Sequence, residues 1–367
     1  MPDYESIIKF LAEEKRWPIN ETWALHDFTF YMNGPANSYL AALKNYRKLD
    51  FEPVPNPGQK WGQNPALTAR DDPGFLAYKK SVYKLIGDLG KELTLKEFAR
   101  LAQMINYEHH RALSEGLAVK RSSGLLMWMS QSAYPSFMWQ TYDYFLATNG
   151  GYFGVKAGCR PTRAVLDPRS GEIVLANFTP KTYRNVTTAC RLYDLNGKLF
   201  QETLYITELL GPDTYGLVLG RVDCMLAPTD LVFVKLTVRD EKNNILGENL
   251  YWHNYQEYQN YRALSGLPAV GLTVQAAEKK LACNSCGYTV AITNNSGTPA
   301  LQVRIRTLSS TGGQDVLPVF YSDNYFTLLP GDSKTVTLEF NPKNLQGDEP
   351  VFHIDGFNVA ALSCSPC

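Results

Sequence analysis

The sequence predicts a multi-domain chain of 367 residues, an α/β segment followed by two all-β modules. Three observations carry this reading. Near residue 158 the apolar periodicity changes from helical spacing to short alternating runs separated by turn residues. Before that point, a capped helix leads into a continuous apolar run, the helix–strand unit of an α/β protein. After it, two stretches of roughly 100 residues carry the strand and turn spacing of β-sandwiches of immunoglobulin type.

In chain order, Asp3 is placed to cap a helix whose Ile7, Ile8 and Leu11 share one apolar face. The clearest helix opens with the capping box Thr94-x-x-Glu97 and continues with Phe98, Leu101, Ala102, Ile105, Ala112 and Leu113 on one stripe. Behind Ser122 and Ser123 comes Gly124-Leu125-Leu126-Met127-Trp128-Met129. An unbroken apolar run of this kind reads as a strand buried on both faces, as in a parallel sheet. It is the one well-marked strand before residue 158. A sheet needs partners, so this segment reads as an incomplete part of a larger unit. Beyond it, 172–176, 188–193, 231–238 and 249–252 are strand-like, with Asp194-Leu195-Asn196-Gly197 as a turn. After 255–268 a similar set begins: 288–292, the loop Asn294-Asn295-Ser296-Gly297, the alternating run 301–306, and 335–340 after the Pro330-Gly331 turn.

Composition bounds the function. Lys plus Arg and Asp plus Glu are 36 each, so the formal net charge is zero and long-range attraction to nucleic acid or an anionic membrane is not expected. With 44% hydrophobic and 20% charged residues the chain buries real cores. Twenty-two Tyr and 6 Trp suit sugar stacking and large cores alike. No apolar run approaches the roughly 18 residues of a membrane helix, and residues 1–15 carry acids and no signal-peptide core. Seven cysteines leave at least one unpaired within the chain. Cys283/Cys286 and Cys364/Cys367 form two Cys-x-x-Cys pairs, open to a tetrahedral zinc site, to disulfides or to plain thiols.

No metalloprotease HExxH, P-loop, GxGxxG or GxSxG pattern is present. His109 and His110 are neighbours on a helical pattern and point about 100° apart, which suits packing better than joint metal ligation. His26, in Trp23-Ala24-Leu25-His26-Asp27-Phe28, reads equally as a packed histidine and as a substrate contact. The densest aromatic cluster runs over 128–140, at the C-terminal end of the expected strand, where α/β barrels place their sites. Trp128, Tyr134 and Trp139 offer faces for a sugar ring, and Gln131 and Ser130 offer hydroxyl partners.

This same region, 124–156, resembles glycoside hydrolase family 2, most closely its exo-β-D-glucosaminidases and β-mannosidase relatives. The resemblance rests on Trp128-Met129, Pro135-Ser136, Trp139-Gln140, Asp143-Tyr144, Asn149-Gly150-Gly151 and Tyr152-Phe153-Gly154-Val155-Lys156. Trp17-Pro18-Ile19-Asn20 with Trp23 and His26-Asp27 is similar to the stretch after the seventh barrel strand, and Tyr107-Glu108 with Arg111 to the helix before the eighth. The resemblance implies that 1–157 is a C-terminal remnant of a (β/α)8 TIM barrel, with immunoglobulin-like sandwiches at 158–262 and 263–367. It implies a retaining mechanism in which one glutamate protonates the leaving group and a second attacks the anomeric carbon, the carboxyls about 5 to 5.5 Å apart. Both are expected before Met1, so this chain is expected to be inactive alone. Glu5, Glu108 and Glu115 lie in helical patterns and match neither catalytic motif. Ser130-Gln131 and Tyr134 stand where relatives carry Asn and a further Trp, a departure that bears on sugar specificity. The expected activity is removal of terminal β-linked glucosamine or mannose, with Trp128, Gln131, Tyr134, Trp139 and His26 as substrate contacts and no cofactor. Expected partners are carbohydrate and a separate N-terminal half; the relatives' substrates favour an extracytoplasmic location. The rival reading is a non-catalytic carbohydrate-binding or adhesion protein built on the two sandwiches.

Overall fold

The computed structural model describes residues 1–20, 22, 23, 26, 43–47, 87, 88, 92–120, 122, 124–127, 130–137, 141–279 and 286–366. Contacts divide the chain into two units, residues 1–108 with 128–152, and 109–127 with 153–367.

In the first unit, helix α1 (Tyr4–Phe10) starts after Asp3, whose carbonyl accepts the amides of Ser6 and Ile7 while its carboxylate makes no cap bond. Ile7 and Leu11 are buried and Ile8 is half-buried. Helix α2 (Leu95–Val119) opens with the expected capping box: Thr94 N donates to Glu97 Oε2 at 2.7 Å, and Glu97 N to Thr94 Oγ1 at 3.2 Å. Those bonds, first among them the Thr94 amide, hold the Glu97 carboxyl below its ordinary range. Phe98, Leu101, Ala102 and Ile105 are buried as expected. Ala112 and Leu113 are exposed instead, and the buried face of the later turns passes to His110, Arg111, Ser114, Glu115 and Ala118. A 25-residue helix drifts round its own axis, so one stripe does not stay buried along its whole length. Gln103 Nε2 and Asn106 Nδ2 donate to Met1 O at 2.8 and 3.1 Å, and Gln103 Oε1 accepts Gly150 N at 2.9 Å. Helix α3 (Gly150–Gly158) is capped by Asn149 Oδ1, which accepts Gly151 N at 2.9 Å. Gly150 is obligatory, because a Cβ there would lie 2.5 Å from Gln103 O.

The expected strand at 124–129 is not formed over its described residues. Gly124 to Met127 carry no strand structure, and Leu126 is 99% exposed. An apolar segment becomes a strand only when neighbours satisfy its backbone groups, and no strand among the described residues pairs with it.

The second unit carries two β-sandwiches. In the first, β1 (Thr162–Leu166), β2 (Glu172–Asn177) and β5 (Thr214–Arg221) form one sheet. The facing sheet runs β4-β3-β6-β7, with β3 (Tyr183–Tyr193), β4 (Leu199–Leu210), β6 (Leu231–Arg239) and β7 (Ile245–Asn254). All pairings are antiparallel. Ile173, Leu175, Val186, Leu192, Val232, Val234, Leu236 and Val238 fill the space between. The second sandwich has sheets β11-β13-β9-β8 and β12-β10-β14-β15. Its strands are β8 (Thr273–Lys279), β9 (Cys286–Thr293), β10 (Ala300–Ser309), β11 (Phe320–Tyr321), β12 (Phe326–Leu328), β13 (Ser333–Phe340), β14 (Pro350–Asp355) and β15 (Leu362–Cys364). Tyr288 stacks on Phe340 at 5.7 Å and meets Phe352 at 5.3 Å in that core. The expected strands at 172–176, 188–193, 231–238, 249–252, 288–292, 301–306 and 335–340 are all present, several of them longer.

Cys190 faces the first core, and burial, with the nearby Cys224 sulfur adding to it, pushes its thiol up to about 12. Burial, then Asp223, pushes Cys224 up to about 11. The thiolate is the nucleophile, so at pH 8 iodoacetamide is expected to label exposed Cys159 in the native protein and to spare Cys190 and Cys224 until the sandwich unfolds. Peptide mass mapping before and after denaturant reads this; native labelling of Cys190 at the rate of Cys159 would contradict it.

Candidate functional site

The candidate contacts stand on an aromatic cluster in the first unit. Trp23 is buried and stacks on Phe137 at 4.1 Å with planes 7° apart. Trp17 meets Trp23 edge-on at 6.0 Å and Phe98 at 5.0 Å. Both indole nitrogens are satisfied by backbone: Trp17 Nε1 donates to Leu93 O at 2.7 Å and Trp23 Nε1 to Arg16 O at 3.2 Å. Trp23 is therefore core, with half-buried Trp17 packed against it.

Residues 130–137 are held at both ends. Ser130 O accepts Tyr142 N at 3.0 Å and Thr141 Oγ1 at 3.2 Å. At the other end Phe137 N donates to His26 O at 2.7 Å, and His26 Nδ1 lies 2.9 Å from Pro135 O. A carbonyl can only accept, so Nδ1 is the donor of this bond. The His26 ring packs on Phe10 at 4.8 Å and edge-on to Phe137 at 6.4 Å. Half-buried His26 thus packs against the segment that carries Tyr134.

Between these anchors Ser130, Gln131, Ala133 and Tyr134 are exposed, Tyr134 by 40%. Ser132 is buried, and its hydroxyl finds no partner among the described residues. The segment thus presents one aromatic face and one carboxamide on a fixed backbone, a combination that can stack on a sugar and bond its hydroxyls. Trp128 and Trp139 lie outside the described residues. So do Cys283, Cys367 and the Cys286 side chain; Cys364 is half-buried on β15, its thiol donating to Ser365 O at 3.3 Å.

The carboxylates set aside at the sequence level divide by environment. Glu5 and Glu108 are half-buried on α1 and α2. Glu115 is buried in the second unit and fully engaged: its Oε1 accepts Tyr251 Oη at 2.7 Å and Asn249 Nδ2 at 3.3 Å, with Arg111 Nε at 4.0 Å. Arg111 also donates to Leu250 O at 2.7 Å and lies 4.2 Å over the Tyr251 ring. Burial foremost, then the Glu115 charge, raises the Tyr251 hydroxyl well above its ordinary pKa. Within the second unit this network pins the last turns of α2 to β7. Only the i, i+4 spacing of Arg111 and Glu115 hinted at it in the sequence.

Residues 249–359 match the exo-β-D-glucosaminidase Ig-fold domain family. The chain is 28% identical to the exo-β-D-glucosaminidase of Hypocrea jecorina over 78% of its own length and 34% of that protein. For the enzyme of the same name from Arthroderma benhamiae the figures are 27%, 77% and 33%. It is 25% identical to the mannosylglycoprotein endo-β-mannosidase of Lilium longiflorum over 84% of its length and 38% of that protein. Among solved structures, the exo-chitosanase CsxA of Amycolatopsis orientalis superposes with a TM-score of 0.69 at 24% identity, covering 77% of this chain and 37% of that one. The chain spans about a third of the length of the curated relatives it matches.

Proposed function

From a chain with a glycosidase family resemblance, homologous to a C-terminal portion of exo-β-D-glucosaminidases and β-mannosidases, we propose a part in removing terminal β-linked glucosamine, or mannose, from oligosaccharides. The observation that carries this is the length of the match: similarity to exo-β-D-glucosaminidases over 77–78% of the chain. Residues 1–157 would be the closing part of a (β/α)8 barrel, with sandwiches at 158–262 and 263–367. The unpaired apolar stretch at 124–127 agrees with that, since a barrel strand acquires its partners from the other strands.

In this reading the reaction retains the anomeric configuration. One carboxylic acid protonates the departing oxygen while a second carboxylate forms a covalent glycosyl intermediate, and water then releases the sugar. This reading assigns both groups to a separate N-terminal part, and Glu115 is occupied in holding α2. This chain's own work is binding and orientation. Tyr134 would stack on the terminal sugar, Gln131 would bond a ring hydroxyl, and His26 would fix the backbone of 130–137 through Pro135 O; Trp128 and Trp139 are proposed as further sugar contacts. No cofactor is required. The substrate class favours an extracytoplasmic protein; among the described residues no helix is long and apolar enough to cross a membrane.

The test is substrate choice by the chain once joined to the N-terminal part that supplies the carboxylates. Tyr134→Ala is expected to raise KM for p-nitrophenyl β-D-glucosaminide by about tenfold, the loss of one stacked face worth about 1–1.5 kcal/mol, with a smaller change in kcat. An unchanged KM would remove Tyr134 from the site, and sugar binding without turnover in the joined protein would favour the carbohydrate-binding reading.

A further inference from the structure

The sequence contains four Asn-x-Ser/Thr acceptor triplets, beginning at Asn20, Asn177, Asn185 and Asn294. The fold treats them very differently. Asn177 is fully buried, its amide donating to Lys181 O and Gly211 O, both at 2.8 Å. Asn294 is fully buried too, donating to Thr298 O at 2.8 Å and Leu328 O at 3.0 Å. Asn20 gives its amide to Lys15 O and Pro18 O, each at 2.9 Å. A sugar on any of these nitrogens displaces a bond that shapes the chain. Asn185, in Asn185-Val186-Thr187 on β3, is exposed, and its side chain makes no hydrogen bond among the described residues. Its φ of 48° is a left-handed backbone that asparagine tolerates.

A second observation lies beside it. On the edge strand β4, Ile206 stands opposite Thr187 and Leu204 opposite Ala189, with Leu209 opposite Arg184. Leu204, Ile206 and Leu209 are 58%, 73% and 55% exposed. An open, apolar edge strand invites pairing with another chain unless something covers it. Asn185 lies on the strand that pairs with β4, two residues before the Thr187 that faces Ile206.

We infer that Asn185 is the acceptor for an N-linked oligosaccharide that shields the apolar edge of β4. In the transfer, the Asn185 amide nitrogen bonds to C1 of the first sugar of a lipid-pyrophosphate-linked oligosaccharide. The C1–O bond to the pyrophosphate breaks, the lipid pyrophosphate leaves with the bonding pair, and the amide gives one proton to the transferase's base. For its occurrence in the native source this rests on the extracytoplasmic reading above; the acceptor site itself does not.

The experiment is secretion of the full chain from a eukaryotic host behind a cleavable signal, followed by intact mass and peptide mapping with and without peptide-N-glycosidase. One oligosaccharide is expected, with Asn185 converted to Asp on its removal and Asn20, Asn177 and Asn294 unchanged. Asn185→Gln and Thr187→Val, the second leaving Asn185 and its backbone in place, are each expected to abolish the mass shift, and the deglycosylated protein to self-associate in light scattering. A bare Asn185 in the secreted protein overturns the inference, as does a glycan on Asn177 or Asn294. Bare Asn185 in protein from the native source, with a glycan in the host, overturns the extracytoplasmic reading alone.

Discussion

Asp355→Ala is expected to lower stability by about 3–5 kcal/mol, a fall in melting temperature on the order of 15 °C for a domain of this size. Arg304 and Asp355 are cross-strand partners on β10 and β14. Arg304 Nε donates to Asp355 Oδ1 at 2.8 Å and Nη2 to Oδ2 at 2.7 Å, with both side chains buried. Removing the carboxylate takes from a buried guanidinium the counter-charge that meets it through two hydrogen bonds, and that loss sets the size of the effect. The double variant Arg304→Met, Asp355→Leu removes both charges and is expected to recover most of it. Thermal melts followed by circular dichroism read both; a loss below about 1 kcal/mol in Asp355→Ala would mean that water reaches the pair.

Glu115→Ala is expected to cost about 3 kcal/mol, because it leaves the Tyr251 hydroxyl proton without its acceptor, takes one of two acceptors from the Asn249 amide and removes the carboxylate beside Arg111. Glu115→Gln keeps an acceptor for Tyr251 and gives up only the charge beside Arg111, so its loss is expected to be clearly smaller. That order separates structure from chemistry. A catalytic carboxylate would lose turnover on conversion to Gln with the melting temperature unchanged, whereas Glu115 is expected to show a graded loss of melting temperature.

The sandwich strands were legible where alternation was strict, as at 301–306 and 335–340, because one face of each is core and the other solvent. β4 and β5 escaped the pattern. Exposed Leu204 and Ile206 on the edge strand blur the alternation of β4, and Gly216 and Gly220 interrupt β5. At 124–129 composition pointed to a buried strand, but a strand's existence depends on partners that a local pattern does not contain. The aromatic segment was legible as a cluster, while its division into core and exposed face was not. Trp23 and Tyr134 look equally suited to a sugar in sequence; the 4.1 Å stack on Phe137 consigns Trp23 to the core. The Glu115 network joins residues more than 130 positions apart and left almost no local trace.

The most direct measurement is hydrolysis of p-nitrophenyl β-D-glucosaminide and β-D-mannoside by this chain alone, and by the chain folded together with an N-terminal part carrying the other barrel strands. The account expects no turnover above buffer from the chain alone, and turnover with retention of configuration from the assembled protein. Turnover by the chain alone, abolished by Glu5→Gln or Glu108→Gln, would contradict it and locate the chemistry within these 367 residues.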